Sequence, residues 1–146
     1  MKKVLLIFFI SILSVSCTSK VISSDIPKIN GYWEIEKVIF SDEKQKEYSI
    51  NETFDYFEVK DNKGFRKKVT PQLDGTFLVN DDFEKIAIKK LEGKYFIFYN
   101  TSFSKWKEEL RFLSDTELIL VNEAKNEYHY KKAAPINLME NGKEAK

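Results

Sequence analysis

Gly31-Tyr32-Trp33-Glu34-Ile35-Glu36-Lys37-Val38-Ile39-Phe40 is the stretch that decides the fold. Trp33 and Ile35 fall on one side of an extended chain and Glu34 and Glu36 on the other, the period-two alternation of a strand with one buried face. Similar segments follow at Phe54 to Lys60 (FDYFEVK), Phe65 to Thr70, Thr76 to Asn80, Phe83 to Lys89 and Tyr95 to Tyr99. Trp106 to Leu113, Leu118 to Asn122 and Glu127 to Lys132 complete the set. Turn-forming residues stand between them: Asp61-Asn62-Lys63-Gly64, with glycine expected to supply a positive φ, then Leu73-Asp74-Gly75 after Pro71. Asp81-Asp82, Glu92-Gly93, Asn100 to Ser104, Ser114-Asp115 and Lys125-Asn126 mark the others. Ser41 to Glu52 comes nearest to a helical period and reads as a long loop. About nine short strands at hairpin spacing predict an all-β domain, an antiparallel up-and-down barrel of about 8–9 strands. Closure removes the strand edges that invite aggregation.

The N-terminus has a different grammar. Lys2 and Lys3 precede Val4 to Val15, which is apolar but for Ser11 and Ser14. A lasting transmembrane helix needs about 20 apolar residues, so this run fits the core of an export signal. It ends in Leu13-Ser14-Val15-Ser16-Cys17, which resembles the lipobox of bacterial lipoproteins, with Leu13 one place further from the cysteine than the common leucine. The resemblance implies that residues 1–16 are removed and that Cys17 carries the lipid. Two or three acyl chains then hold the protein on a membrane, each buried CH₂ contributing about 0.8 kcal/mol. Thr18 stands where an Asp would mark inner-membrane retention, and no acidic cluster follows. The resemblance therefore implies the outer membrane, facing the periplasm. Cys17 is the only cysteine, which excludes an internal disulfide.

Charge narrows the remaining classes. Lys2 and Lys3 are two of 24 Lys and Arg, and none of the 23 Asp and Glu precedes Cys17, so the mature chain carries 22 basic against 23 acidic residues. No basic excess points to nucleic acid. Arg66-Lys67-Lys68, the densest basic run, is read as a solvated strand face or a charge-paired edge. Residues 17–28 are read as the lipidated cysteine and a flexible tether, 29–132 as the barrel and 133–146 as a polar tail. A single domain of about 100 residues can fold on one core, and a monomer is expected.

Gly31-Tyr32-Trp33, just after Ile26-Pro27-Lys28, resembles the Gly-x-Trp opening of lipocalins. Leu118 to Glu123 followed by Tyr128-His129-Tyr130-Lys131 is similar to the closing hairpin of short bacterial lipocalin-like lipoproteins. The resemblance covers about Ile29 to Lys132 and implies a barrel in which Gly31 and Trp33 close one end. It also implies a basic residue of the last strands stacked on Trp33, for which Arg111, Lys131 and Lys132 are the candidates. Such a barrel holds one small apolar ligand or is filled by side chains. Trp33, Phe57, Phe77, Phe96, Phe98, Phe112 and Tyr128 are the aromatics expected to fill it.

Catalytic chemistry finds little to stand on. The sole histidine, His129, alternates with two tyrosines and is expected to face outward, leaving no base for a nucleophilic system. One histidine and one lipidated cysteine make no zinc site. Glu108 and Glu109 point to opposite faces of a strand and cannot converge. Asp81-Asp82 reads as a turn, and no phosphate-binding or calcium loop occurs. No enzyme and no cofactor is expected. Two readings remain: a lipid-anchored barrel that binds a small apolar ligand, or a filled barrel that docks an envelope protein.

Overall fold

The computed structural model describes residues 20–133. The export signal expected at 1–16, Cys17 and all of the polar tail but Ala133 lie outside the described residues. Ten strands are present: β1 (Gly31–Ile39), β2 (Gln45–Glu47), β3 (Phe54–Lys60), β4 (Lys63–Pro71), β5 (Phe77–Val79), β6 (Glu84–Leu91), β7 (Lys94–Asn100), β8 (Lys105–Leu113), β9 (Glu117–Val121) and β10 (Glu127–Lys132). All pairings are antiparallel, in the order β10-β9-β8-β7-β6-β4-β3-β1, and β10 pairs back onto β1. These eight strands form a closed up-and-down barrel. β2 and β5 are additions. β1 gives Gly31 to Trp33 to β3 and Lys37 to Ile39 to β2, while β4 divides in the same way between β6 and β5.

Local chemistry sets the turns. Asp61 and Asn62 take φ of 51° and 62°, and Glu92 and Gly93 take 49° and 79°. Two residues of positive φ suit the right-handed twist of a tight hairpin. Gly64, expected to supply the positive φ of its turn, instead lies in β4. A Cβ there would fall 1.8 Å from the Glu58 carbonyl oxygen, so close backbone approach is what calls for glycine. The segment 41–52, read as a loop, contributes β2, and Tyr48 N–H donates to the Glu36 carbonyl beside it.

The tether expected over residues 17–28 is shortened by the structure. Ser23–Ile29 forms a 3-10 helix, with Lys28 Nζ bound to Asp25 at 2.9 Å. Val21, Ile26 and Ile29 are buried. Their spacing leaves one apolar side on this short segment, and that side plugs one end of the barrel. The folded domain therefore begins at Val21 rather than Ile29.

The plug joins a core of Trp33, Phe57, Val59, Ile86, Ile88, Ile97, Tyr99, Leu110, Leu113, Leu118, Leu120 and Tyr130, with Tyr128 and Trp106 packed against it. Four of the expected core aromatics lie elsewhere. In β7 the inward residues are Tyr95, Ile97 and Tyr99. Phe96 and Phe98 lie on the outer wall beneath Lys107 and Lys89, whose ammonium groups are 5.5 and 5.2 Å from the ring centroids. A bulge in β8 between Leu110 and Phe112 turns Phe112 outward, opposite Ile119. Phe77 of β5 stacks on Tyr32, ring centroids 3.9 Å apart, outside the main core.

Candidate functional site

The closed end is built from the residues of the Gly-x-Trp stretch. Trp33 is fully buried, and its indole N–H donates to the Ile29 carbonyl at 2.7 Å, tying the plug to β1. Gly31 has φ of 113°, and a Cβ there would meet Lys132 Cε at 3.1 Å, so both backbone and space call for glycine. Lys132 crosses this gap with its ammonium 4.4 Å from the Trp33 ring centroid. It donates to the Lys28 carbonyl at 2.9 Å and also to the Asn30 carbonyl. Burial holds its pKa below the ordinary lysine value. Arg111 and Lys131 lie on the outer wall: Arg111 binds Glu109 and Glu127, and Lys131 binds Glu34 at 3.3 Å.

The opposite half of the interior is polar. β3 and β4 join through the two-residue turn at Asp61-Asn62, which places Arg66 across from the inward Phe57. Arg66 is therefore inside the barrel, not on the solvated face expected of the basic run. Its guanidinium is hydrogen-bonded to Glu84 of β6 and lies 3.9 Å from Asp55 of β3 and 3.8 Å from Glu108 of β8. It also covers the Tyr99 ring at 4.5 Å. Burial alone would lower the Arg66 pKa, but Tyr99, the Glu84 hydrogen bond and Asp55 outweigh it and raise the value. Burial pushes Glu108 and Tyr99 upward.

This cluster is not fully satisfied. Asp55 is also approached by Lys68 Nζ at 2.7 Å, but its Oδ1 has no well-aligned hydrogen bond. The Tyr99 hydroxyl and Glu108 Oε2 share that condition among the described residues, although they lie close enough to influence each other's ionisation. Buried polar atoms of this kind call for a water or a ligand.

Above the cluster is the mouth, an open cleft of ≈ 650 Å³ whose lining includes Arg66, Glu84, Trp106, Phe83, Lys68 and Ser104. Trp106 stacks on Tyr99 with centroids 4.9 Å apart and planes 7° from parallel. Trp106 is half-buried, and the face it shares with Glu108 points into the barrel. Phe103, 99% exposed, and Ile50, Leu73, Leu78 and Phe83 present apolar surface from segments at this end.

His129 lies on the outer wall with Nε2 3.2 Å from Glu127, and Glu109 faces outward towards Arg111 and Lys94. No cluster of three or more potential metal ligands occurs among the described residues.

Sequence reading missed Arg66, Asp55, Glu84 and Tyr99 as a group. The signal was the β3–β4 hairpin: with Phe57 and Val59 inward and a two-residue turn, Arg66 must share their side. No protein-family model matches the chain. No curated protein matches it either. A solved structure, that of a lipocalin-like protein from Bacteroides uniformis, is similar over 73% of this chain and 99% of its own, at 13% identity and a TM-score of 0.46.

Proposed function

We propose that the chain is a non-catalytic, lipid-anchored envelope protein that takes up a small amphipathic molecule at the mouth of its barrel. The observation that carries this reading is the division of the interior. Its closed half is occupied by Trp33, Phe57, Leu118 and their neighbours, whereas the mouth keeps an open cleft with Trp106 and Phe83 on its wall and Arg66 and Glu84 on its floor, directly over the incompletely paired Asp55, Tyr99 and Glu108. A purely apolar ligand would have to displace either close-packed core side chains or the Arg66 cluster, and both are costly. An amphipathic one meets Trp106 and Phe83 with its apolar part and the floor with its polar part. Cys17 supplies the anchor, at the periplasmic face of the outer membrane. Only Thr18, Ser19 and Lys20 separate it from the buried Val21, so the closed end rests on the bilayer and the mouth faces away.

The test is uptake of an environment-sensitive anilinonaphthalene probe by the soluble chain starting at Lys20. Saturable one-to-one binding that is lost in Trp106→Ala and kept in a distant outer-wall variant such as Phe96→Ala supports the reading. Binding indifferent to Trp106 removes it. The second reading, docking of an envelope protein, is favoured by one observation, the exposed Phe103, Leu73 and Ile50 at the same end.

A further inference from the structure

Resting on that reading, we infer that the molecule taken at the mouth is a small cation, an aromatic or aralkyl primary amine whose ammonium enters between Glu108 and Tyr99. Three carboxylates, Asp55, Glu84 and Glu108, face the upper interior from three different strands. Two cations answer them, Arg66 and Lys68. Arg66 commits its hydrogen bond to Glu84, and Lys68 lies against Asp55. Glu108 is left with Arg66 at 3.8 Å, beyond hydrogen-bonding distance, and with an unpartnered Oε2. Beside it the Tyr99 hydroxyl, on a ring 1% exposed, is unpartnered as well. The Tyr99 hydroxyl can turn its proton towards Glu108, which leaves acceptor sites on both groups and no donor for them, so a ligand that enters here must donate, and the surplus charge of the site is negative.

The walls suit the same ligand. Tyr99 lies between Trp106 on one side and Arg66 on another, and Tyr130 and Tyr128 line the interior from β10. Aromatic faces attract an ammonium group and stack with an aromatic ring. Glu108 and Arg66 each keep 12% of their side-chain surface accessible, and Arg66 forms part of the lining of the open cleft. An ammonium supplies three donors from one compact charge, enough for Glu108, Tyr99 and a water. A carboxylate ligand would be drawn to Arg66 but would face Asp55, Glu84 and Glu108 unscreened.

Three molecules of one shape and different charge separate the possibilities: tyramine, its neutral analogue tyrosol, and 4-hydroxyphenylpropionate. Each is titrated calorimetrically into the mature lipoprotein in zwitterionic nanodiscs, with empty discs as the blank. Tyramine should bind about tenfold or more tightly than tyrosol, as expected for a charge-assisted hydrogen bond, and the propionate should be weakest. Glu108→Gln, which keeps shape and volume, should abolish the preference for tyramine while leaving tyrosol binding within about twofold. Tyr99→Phe should weaken tyramine without reversing the order. Tyrosol binding as well as tyramine in the native protein overturns the amine assignment and leaves the small-ligand reading in place. Preference for the propionate also overturns it, making Arg66 the determinant. Binding of none of the three removes both.

Discussion

Lys132 and Trp33 are register partners across the β1–β10 seam, and the lysine ammonium lies over the tryptophan ring at 4.4 Å. One residue from each end of the domain thus completes the closed end. The ammonium also binds two carbonyls at the exit of the 3-10 helix, Lys28 and Asn30, which have no partners within so short a helix.

Removing either partner tests this junction. Trp33→Ala should cost about 3–5 kcal/mol, because it opens a cavity under the plug and strands the Ile29 carbonyl. Lys132→Met keeps the stem but loses the cation–π contact and both hydrogen bonds, for a cost of about 1–3 kcal/mol. Urea unfolding of the two variants and of the double variant measures their coupling. An additive double variant would show that the two do not act together.

Trp106→Ala should destabilise less than Trp33→Ala, by about 1–2 kcal/mol in all, since it gives up a stacked pair and part of a half-buried ring. The same urea series checks the ranking. A larger loss at Trp106 than at Trp33 would mean that the mouth, not the plug, holds the barrel together.

Glu108 makes stability depend on pH in a direction opposite to that of a salt-bridged carboxylate. Burial raises its folded value above the ordinary 4.5, so the folded protein holds this proton more tightly than the unfolded chain. Its contribution is favourable at low pH and is lost as pH rises from 4.5 through the folded value. Arg66, Asp55, Glu84, Tyr99 and Tyr130 all face this group. Glu108→Gln should therefore gain on the native protein as pH rises from about 4.5 to 8, read as the difference in urea midpoint. A gap that closes over that range contradicts the assignment.

The plug can be cut in two. A chain beginning at Asp25 lacks Val21, whereas one beginning at Lys20 retains it. The shorter chain should be less stable by about 1.5–3 kcal/mol, the value of one buried valine. Equal midpoints would restore the flexible tether expected over these residues.

Cys17→Ser should leave an uncleaved precursor and abolish labelling by a palmitate analogue. Labelling that persists in the variant overturns the assignment of the lipid to Cys17.

The period of β1 made Trp33 legible, and the turn residues made the meander legible, because both depend on local chemistry. Parity was harder where both faces of a strand are apolar. Tyr95 to Tyr99 offers no polar residue to mark its outside, and the lysines that cover Phe96 and Phe98 come from the adjacent strands. Arg66 illustrates the converse: its charge suggested solvent, but cross-strand pairing with Phe57 overrode that suggestion, and carboxylates from three other strands make its burial tolerable. The short 3-10 helix was hidden because Pro27 and one turn's worth of apolar spacing look the same in a tether. The polar mouth was illegible for a further reason. Its members are separated by as many as 53 positions, from Asp55 to Glu108, and only barrel closure brings them together.

The β1–β10 seam has a consequence in time. Its partners include Trp33 and Lys132, so the barrel cannot close until its last strand is available. Contacts of such long sequence separation form slowly. Until then β1 waits with an open edge, as sticky as any strand in an unfinished sheet. A chain that stops before Glu127 would lack both a stave of the barrel and the lysine for Trp33, so closure is all or nothing in this last strand.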